Sequence, residues 1–226
     1  MDEITEIVGG LVSQINGQIT GELDPMTGLN LFCNTKWARK GKVITSGSDS
    51  FRINEIIYDD YIVAQSIPIG TPFNGGTYDL PTPFYISGTR LATDREWTLA
   101  ASNLMNKTPI IWLLETIEEQ RFGRGDSREF ETSLRIFFLD ETNIKDFYTK
   151  DHRHEVVLPM QKLVGEFLNV VNEDRRFKTV EEYKLKTFSR FGVEQENGMF
   201  QNILDANLSG VELNVTLTKF KQNCKC

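Results

Sequence analysis

Between Val156 and Val171 the apolar residues Val156, Met160, Leu163, Val164, Phe167, Leu168 and Val171 recur at i, i+4, i+7, i+8, i+11, i+12 and i+15, while Gln161, Lys162, Glu166, Asn169 and Asn172 take the other side. This spacing predicts an amphipathic helix whose one apolar face must be covered by something else in the fold. Pro159 has no amide hydrogen to donate, so the regular helix begins near it or bends there. The segments on either side change to period two. Phe130, Thr132, Leu134, Ile136 and Phe138 alternate with Glu131, Ser133 and Arg135. Tyr183, Leu185, Thr187, Ser189, Phe191 and Val193 alternate with Lys184, Lys186 and Arg190, and Val211, Leu213, Val215 and Leu217 with Glu212, Asn214, Thr216 and Thr218. These read as half-exposed strands. The nearly continuous apolar run from Pro109 to Leu114 suits a central strand. The order strand, strand, helix, strand, strand predicts an α+β fold: a mainly antiparallel sheet packed by one long helix.

The first half of the chain is organised differently. Residues 1–20 read as an N-terminal amphipathic helix with Ile4, Ile7, Val8, Leu11, Val12 and Ile15 on one face. Gly9 and Gly10 cost it about 1 kcal/mol each relative to alanine, so it needs a partner surface, on its own domain or on another subunit. Residues 27–69 read as a small β-barrel-like module. Short β-type runs at Leu29–Asn34, Lys42–Thr45, Phe51–Ile57 and Tyr61–Ser66 are separated by turn signals at Ser46–Ser50 and Asp59–Asp60. Residues 70–83 hold Pro72, Pro81 and Pro83 with Gly70, Gly75 and Gly76, the composition of a Pro/Gly-rich arm or linker. Residues 84–226 form the α+β domain. Within it Phe84–Gly88 is a short strand, Thr93-Asp94-Arg95-Glu96 offers a helix start, and Glu115–Arg128 reads as an exposed hairpin loop. The Gly123-Arg124-Gly125-Asp126 tip of that loop lacks the spacing and the Lys-Ser/Thr end of a phosphate loop.

Little in the chain argues for reactive chemistry. The two histidines stand in Asp151-His152-Arg153-His154-Glu155, four potential metal ligands in five residues. On a strand His152 and His154 would point the same way, but just before a helix they diverge, and neither an HExxH pattern nor a second ligand cluster accompanies them. The preferred reading is a charged entry to the long helix, with Asp151 near the positive end of its dipole. The alternative is a metal-dependent enzyme centred on Asp151, His152, His154 and Glu155. Cys224-Lys225-Cys226 offers two soft ligands where a closed zinc site takes about four, and reads as a frayed tail. No Gly-x-Ser-x-Gly is present, and neighbouring carboxylates such as Glu118-Glu119 and Glu181-Glu182 read as solvated faces. No residue is therefore assigned to catalysis, to a cofactor or to a metal. With 25 basic against 32 acidic residues the net charge is −7, which opposes a grip on the phosphate backbone. No apolar run of about 18 residues suggests a membrane span, and Met1-Asp2-Glu3 lacks the basic region of a secretory signal, so the expected site of synthesis is a cytosol.

Several strings in the second half carry a resemblance. Leu80-Pro-Thr-Pro-Phe-Tyr-Ile-Ser-Gly-Thr89, Phe137-Phe-Leu-Asp-Glu-Thr-Asn143, the helix from His154 to Val171, and Leu208-Ser-Gly-Val-Glu-Leu-Asn-Val-Thr-Leu217 followed by Cys224-Lys-Cys226 resemble virion proteins of tailed bacteriophages, the crass-like phages of gut bacteria among them. The resemblance covers roughly residues 81–226. It implies a structural subunit of the head-tail connector, neck or tail, similar to a tail terminator or a head-tail ring protein. Its implied partners are further copies of itself and neighbouring neck, portal or tail proteins, with genomic DNA in transient, non-specific passage and no membrane. Such a subunit is assembled in the host cytoplasm and resides in the virion. A baseplate or tail-hub binding module is the other virion role the features allow. The β-rich first half departs from the terminator pattern.

Overall fold

The computed structural model describes residues 4–89, 107–115, 117–122, 129–143, 149–194, 200–204 and 206–219. Ile4–Val12 forms helix α1, which buries Ile7, Val8, Leu11 and Val12 within its own chain, against the long helix and two strands of the main sheet. Tyr85 Oη anchors it by donating to the Thr5 carbonyl at 2.8 Å. The chain then enters an antiparallel barrel made of β1 (Gln18–Leu23), β2 (Asn30–Leu31), β3 (Val43–Ser46), β4 (Asp49–Ile57), β5 (Tyr61–Ser66) and β6 (Gly76–Asp79). The strands close in the order β1-β2-β5-β4-β3-β6. Phe32, Phe51, Phe73 and Tyr78 pack as one aromatic cluster, with ring centroids from 4.5 to 6.5 Å apart. Gly21 makes room for it, because a Cβ there would lie 2.6 Å from the Phe32 ring.

Two boundaries differ from the sequence reading. The N-terminal helix ends well short of residue 20, and Gln18–Leu23 is already barrel. The Pro/Gly-rich stretch 70–83 is not an arm throughout, since Gly76–Asp79 pairs with β1 from Gln18↔Asp79 to Gly21↔Gly76 and closes the barrel. Each strand escapes the pattern for a reason of its own. β6 is four residues long with one buried side chain, Tyr78, and β1 carries a glycine where an apolar residue would mark the period.

The second sheet contains β7 (Phe84–Gly88), β8 (Ile110–Leu114), β9 (Glu118–Phe122), β10 (Glu129–Glu141), β11 (Tyr183–Phe188) and β14 (Leu208–Lys219). Its order is β11-β14-β10-β8-β7, and β9 lies beside the first half of β10. A small hairpin, β12 (Gly192–Glu194) and β13 (Phe200–Asn202), stands apart. All pairings are antiparallel except β7 with β8. The expected loop 115–128 therefore contains a strand, whose ladder runs from Ser133↔Glu118 to Glu129↔Phe122. The run Tyr183–Val193 is also broken: after Phe188 the chain leaves the sheet, and Phe191 turns onto Trp112 and Phe137 in a second core. That cover buries both faces of the first half of β14, where the alternation had suggested one wet face. The helix start at 93–96, the tip at 123–126 and Cys224 with Cys226 lie outside the described residues.

The long helix runs from α2 (Thr149–His152) through a π-helical turn (Arg153–Val157) into α3 (Leu158–Glu173). Pro159 sits in the first turn of α3, where its missing donor is least costly. Met160, Leu163, Val164, Phe167, Leu168 and Val171 are buried against β10 and β14, with Phe167 and Phe138 in an edge-on contact at 5.7 Å. Each such side chain contributes roughly 1.5–3 kcal/mol by leaving water. One continuous core runs from the barrel through α1 and α3 to this face of the sheet, so the barrel shares its apolar interior with the larger unit.

Gly210 holds the β10–β14 pairing at its tightest point. Its φ is +154°, and a Cβ there would overlap the carbonyl oxygen of Phe138 on the neighbouring strand. Gly210→Ala is expected to cost more than about 2 kcal/mol from strain and overlap. This corresponds to a fall in Tm of about 4–8 °C for a chain of this length, to be read by thermal denaturation followed by circular dichroism.

Candidate functional site

The pentapeptide singled out in the sequence spans the junction of α2 and the π turn, and its side chains diverge. His152 is buried, Asp151 and His154 are exposed, and Glu155 is half-buried. Among the described residues no group of three or more His, Cys, Asp or Glu side chains is placed to hold a metal ion. His152 Nε2 lies 2.9 Å from Ser209 Oγ, and Ser209 Oγ donates to the Ser189 carbonyl at 2.6 Å. A hydroxyl has one proton, so the serine accepts from the imidazole and His152 carries its hydrogen on Nε2. The polarity is the reverse of a serine activated by a histidine base. Burial, and then the charge of Arg39, hold the His152 pKa below its ordinary value.

Beside this pair lies the densest charged constellation in the described structure. Asp140, near the end of β10, is 1% exposed. Its Oδ2 meets Arg39 Nη1 at 3.0 Å and its Oδ1 meets Lys42 Nζ at 2.8 Å. Both cations come from the barrel, on the turn that leads into β3, where Lys42 N donates to the Arg39 carbonyl and Ile53 N to the Lys42 carbonyl. The cations have further acceptors in the second unit. Arg39 Nη1 donates to the Glu141 carbonyl at 2.5 Å, and Lys42 Nζ donates to the hydroxyl of Thr108. Burial alone would raise the Asp140 pKa, but Arg39 and Lys42 outweigh it and hold the carboxyl below its ordinary value. Tyr58, also from the barrel, is pushed well above the usual phenol range by burial first and then by Glu155. Tyr58 Oη, Arg39 Nε and Thr142 Oγ1 are buried and have no hydrogen-bond partner among the described residues.

Chemically this node is a clamp. Two cations and one carboxylate withdrawn from water are held by one another and by carbonyl and hydroxyl acceptors, which is how buried charges are tolerated. The sequence reading missed it because Asp140 is about 100 residues from Arg39 and Lys42 along the chain. One signal was available: Asp140 directly follows the apolar run Ile136–Leu139, and a carboxylate continuing so buried a strand requires a partner.

A second feature is open. Below the second core, the face of the sheet turned away from α3 is a shallow groove lined by Glu118, Arg135, Glu181, Lys184, Asn214 and Thr216, among others. Its floor is knitted together by Ser133 with Thr216 at 3.2 Å, and by Arg135 Nε donating to the buried Glu212 at 2.7 Å. Cys33 is an exposed free thiol on the barrel. No helix among the described residues is long and apolar enough to cross a membrane. No family model matches the chain. No curated protein matches it either.

Asp140→Asn leaves two buried cations facing a neutral amide. It is expected to destabilise the fold by about 3–5 kcal/mol, measured by denaturant titration with the barrel residue Trp37 and the sheet residue Trp112 as probes. His152 has a folded-state pKa below its unfolded value of 6.5, so the unfolded chain binds its proton first. Its contribution to stability is complete above pH 6.5 and falls as the pH is lowered through that value towards the folded pKa. His152→Gln is expected to flatten the stability profile as the pH is lowered from 7 through 6.5, measured by melting at a series of pH values on either side of 6.5.

Proposed function

We propose that the chain is a non-enzymatic structural subunit of a tailed-bacteriophage virion, assembling as a homo-oligomeric ring in the head-tail connector, neck or tail. The observation that carries this reading is the use of its buried charges. Arg39, Lys42 and Asp140 are spent on locking the barrel to the sheet, the work of a rigid scaffold whose value lies in its outer surfaces. The resemblance of residues 81–226 to phage virion proteins supplies the setting. A net charge of −7 suits the wall of a DNA conduit, since a basic lining would add counterion-release affinity at every step of passage. The partners are other copies of this chain and the neighbouring neck, portal or tail rings.

Antibodies against the purified chain, imaged on intact phage particles by immunoelectron microscopy, are expected to label the region between capsid and tail. Label confined to the distal tip would make it a baseplate or hub module, and absence of label would end the virion reading. A stoichiometric metal in the purified protein, lost on His152→Ala, would favour the metal-dependent enzyme instead.

A further inference from the structure

Among the described residues, the large apolar side chains left exposed fall in two places, the barrel and β11. Most of those on the barrel gather at one end. Its strands alternate antiparallel all the way round, so their connections divide between two ends. Segments 32–42 and 58–60 lie at the end that meets the second unit, where Arg39 and Lys42 reach Asp140 and Asp59 reaches Lys162. Segments 24–29, 47–48 and 67–75 lie at the opposite end. These outer loops carry Met26, 92% exposed, and Ile69, 82% exposed, with Leu23 and Ile67 also exposed there. The two longer loops abut: a Cβ on Gly75 would lie 2.8 Å from Leu23 N, and Asn30 Nδ2 donates to the Phe73 carbonyl at 3.1 Å. The charges at this end are Glu22, Asp24 and Asp49, and residues 22–31, 45–50 and 65–77 contain no Lys or Arg. Arg52 stands further along β4. The tip of the barrel is therefore apolar and acidic, a surface that gains by being covered.

We infer that the barrel tip of one copy docks against β11 of the next. β11 is the outermost strand on its side of the sheet, with β14 as its paired neighbour. Tyr183 and Leu185 remain 48% and 40% exposed on it, although they stand beside the buried Val215 and Leu213. Lys184 and Lys186 alternate with them along the same exposed strand. Lys186 Nζ lies 5.1 Å from the centre of the Phe188 ring, and neither lysine is in an ion pair among the described residues. Glu181 and Glu182 precede the strand and stand outside it. Apolar residues flanked by cations thus meet apolar residues flanked by carboxylates. Each patch also rejects its own copy: tip on tip sets Glu22, Asp24 and Asp49 against the same three carboxylates, and β11 on β11 sets lysine against lysine. The contact is heterologous, using different surfaces on the two copies, and such a contact closes into a ring when its rotation divides the circle. This inference rests on the ring reading and assigns its interface.

The test reads the solution mass of the full chain by sedimentation velocity. The wild type is expected to sediment as an oligomer. Met26→Ser with Ile69→Ser removes apolar surface at two positions that lie almost wholly in solvent. Glu22→Lys with Asp49→Lys reverses the charge of the tip, and Lys184→Glu with Lys186→Glu reverses that of β11. Each double variant alone is expected to be monomeric, with the circular dichroism of the folded wild type. An equimolar mixture of the two charge reversals is expected to recover the oligomer, because the reversed tip meets the reversed strand and the unaltered patches meet each other. A disulfide gives a readout independent of charge. In a chain with Cys33, Cys224 and Cys226 changed to serine, copies carrying Met26→Cys and copies carrying Leu185→Cys are expected to link to each other on oxidation in preference to themselves. An oligomeric wild type whose mass survives all three double variants overturns the docking and leaves the ring reading standing. So does a mixture that stays monomeric, or cysteines that link like chains alone. A monomeric wild type overturns the docking as well, and particle labelling then decides the virion role separately.

Discussion

Asp140 is a carboxylate at the end of the strand that runs through the middle of the fold, and it is closed to water. A buried anion is tolerated only with counter-charges at hand, and here both arrive from the barrel, on Arg39 and Lys42. The relative placement of the two units follows. The barrel's turn before β3 must sit over the end of β10, which brings its Asp59 turn onto α3, where Lys162 pairs with Asp59 and Thr35 N donates to the same carboxylate. Apolar burial supplies most of the attraction between the layers, but it has little directional preference. The ionic node supplies the direction.

This division of labour explains why one core serves both units. A six-stranded barrel of about 60 residues buries a limited interior by itself. Here its aromatic centre continues into the side chains of α1, α3 and the inner face of the sheet. The other face of the sheet is treated unequally. Its upper part is covered by Phe188, Phe191, Leu204 and Ala206 around Trp112 and Phe137, while its lower part stays open and polar among the described residues. Among the described residues, this open part, lined by Glu118, Arg135, Lys184 and Thr216, is the stretch of that face that no other segment covers.

The long helix, its apolar face and the strands β8, β10 and β14 were legible because each is long enough for its period to show. The hairpin turns at Ser46–Ser50 and Asp59–Asp60 were legible through turn chemistry, and Asp59 does take a positive φ. The strands β1, β6 and β9 were not. β1 is interrupted by Gly21, β6 has four residues with Tyr78 alone buried, and β9 opens with Glu118, Glu119 and Gln120, all exposed. A strand of that kind is specified by its ladder to a neighbour, and a ladder leaves no mark on the local sequence. The histidine pentapeptide was misleading for a related reason. Residue types that bind metals were adjacent in the chain, but the helix at that point sends them in different directions.

Local sequence determined the fold class, the helix that packs the sheet and the divergence of His152 from His154, since these follow from backbone periods that act within a few turns. Tertiary structure alone decided that the barrel closes through β6, that His152 donates to a serine 57 residues away, and that Asp140 is clamped by two cations about 100 residues upstream. These are pairings between segments distant in the chain. Their free energy exists only once the intervening residues have folded, so no window of neighbouring residues contains it.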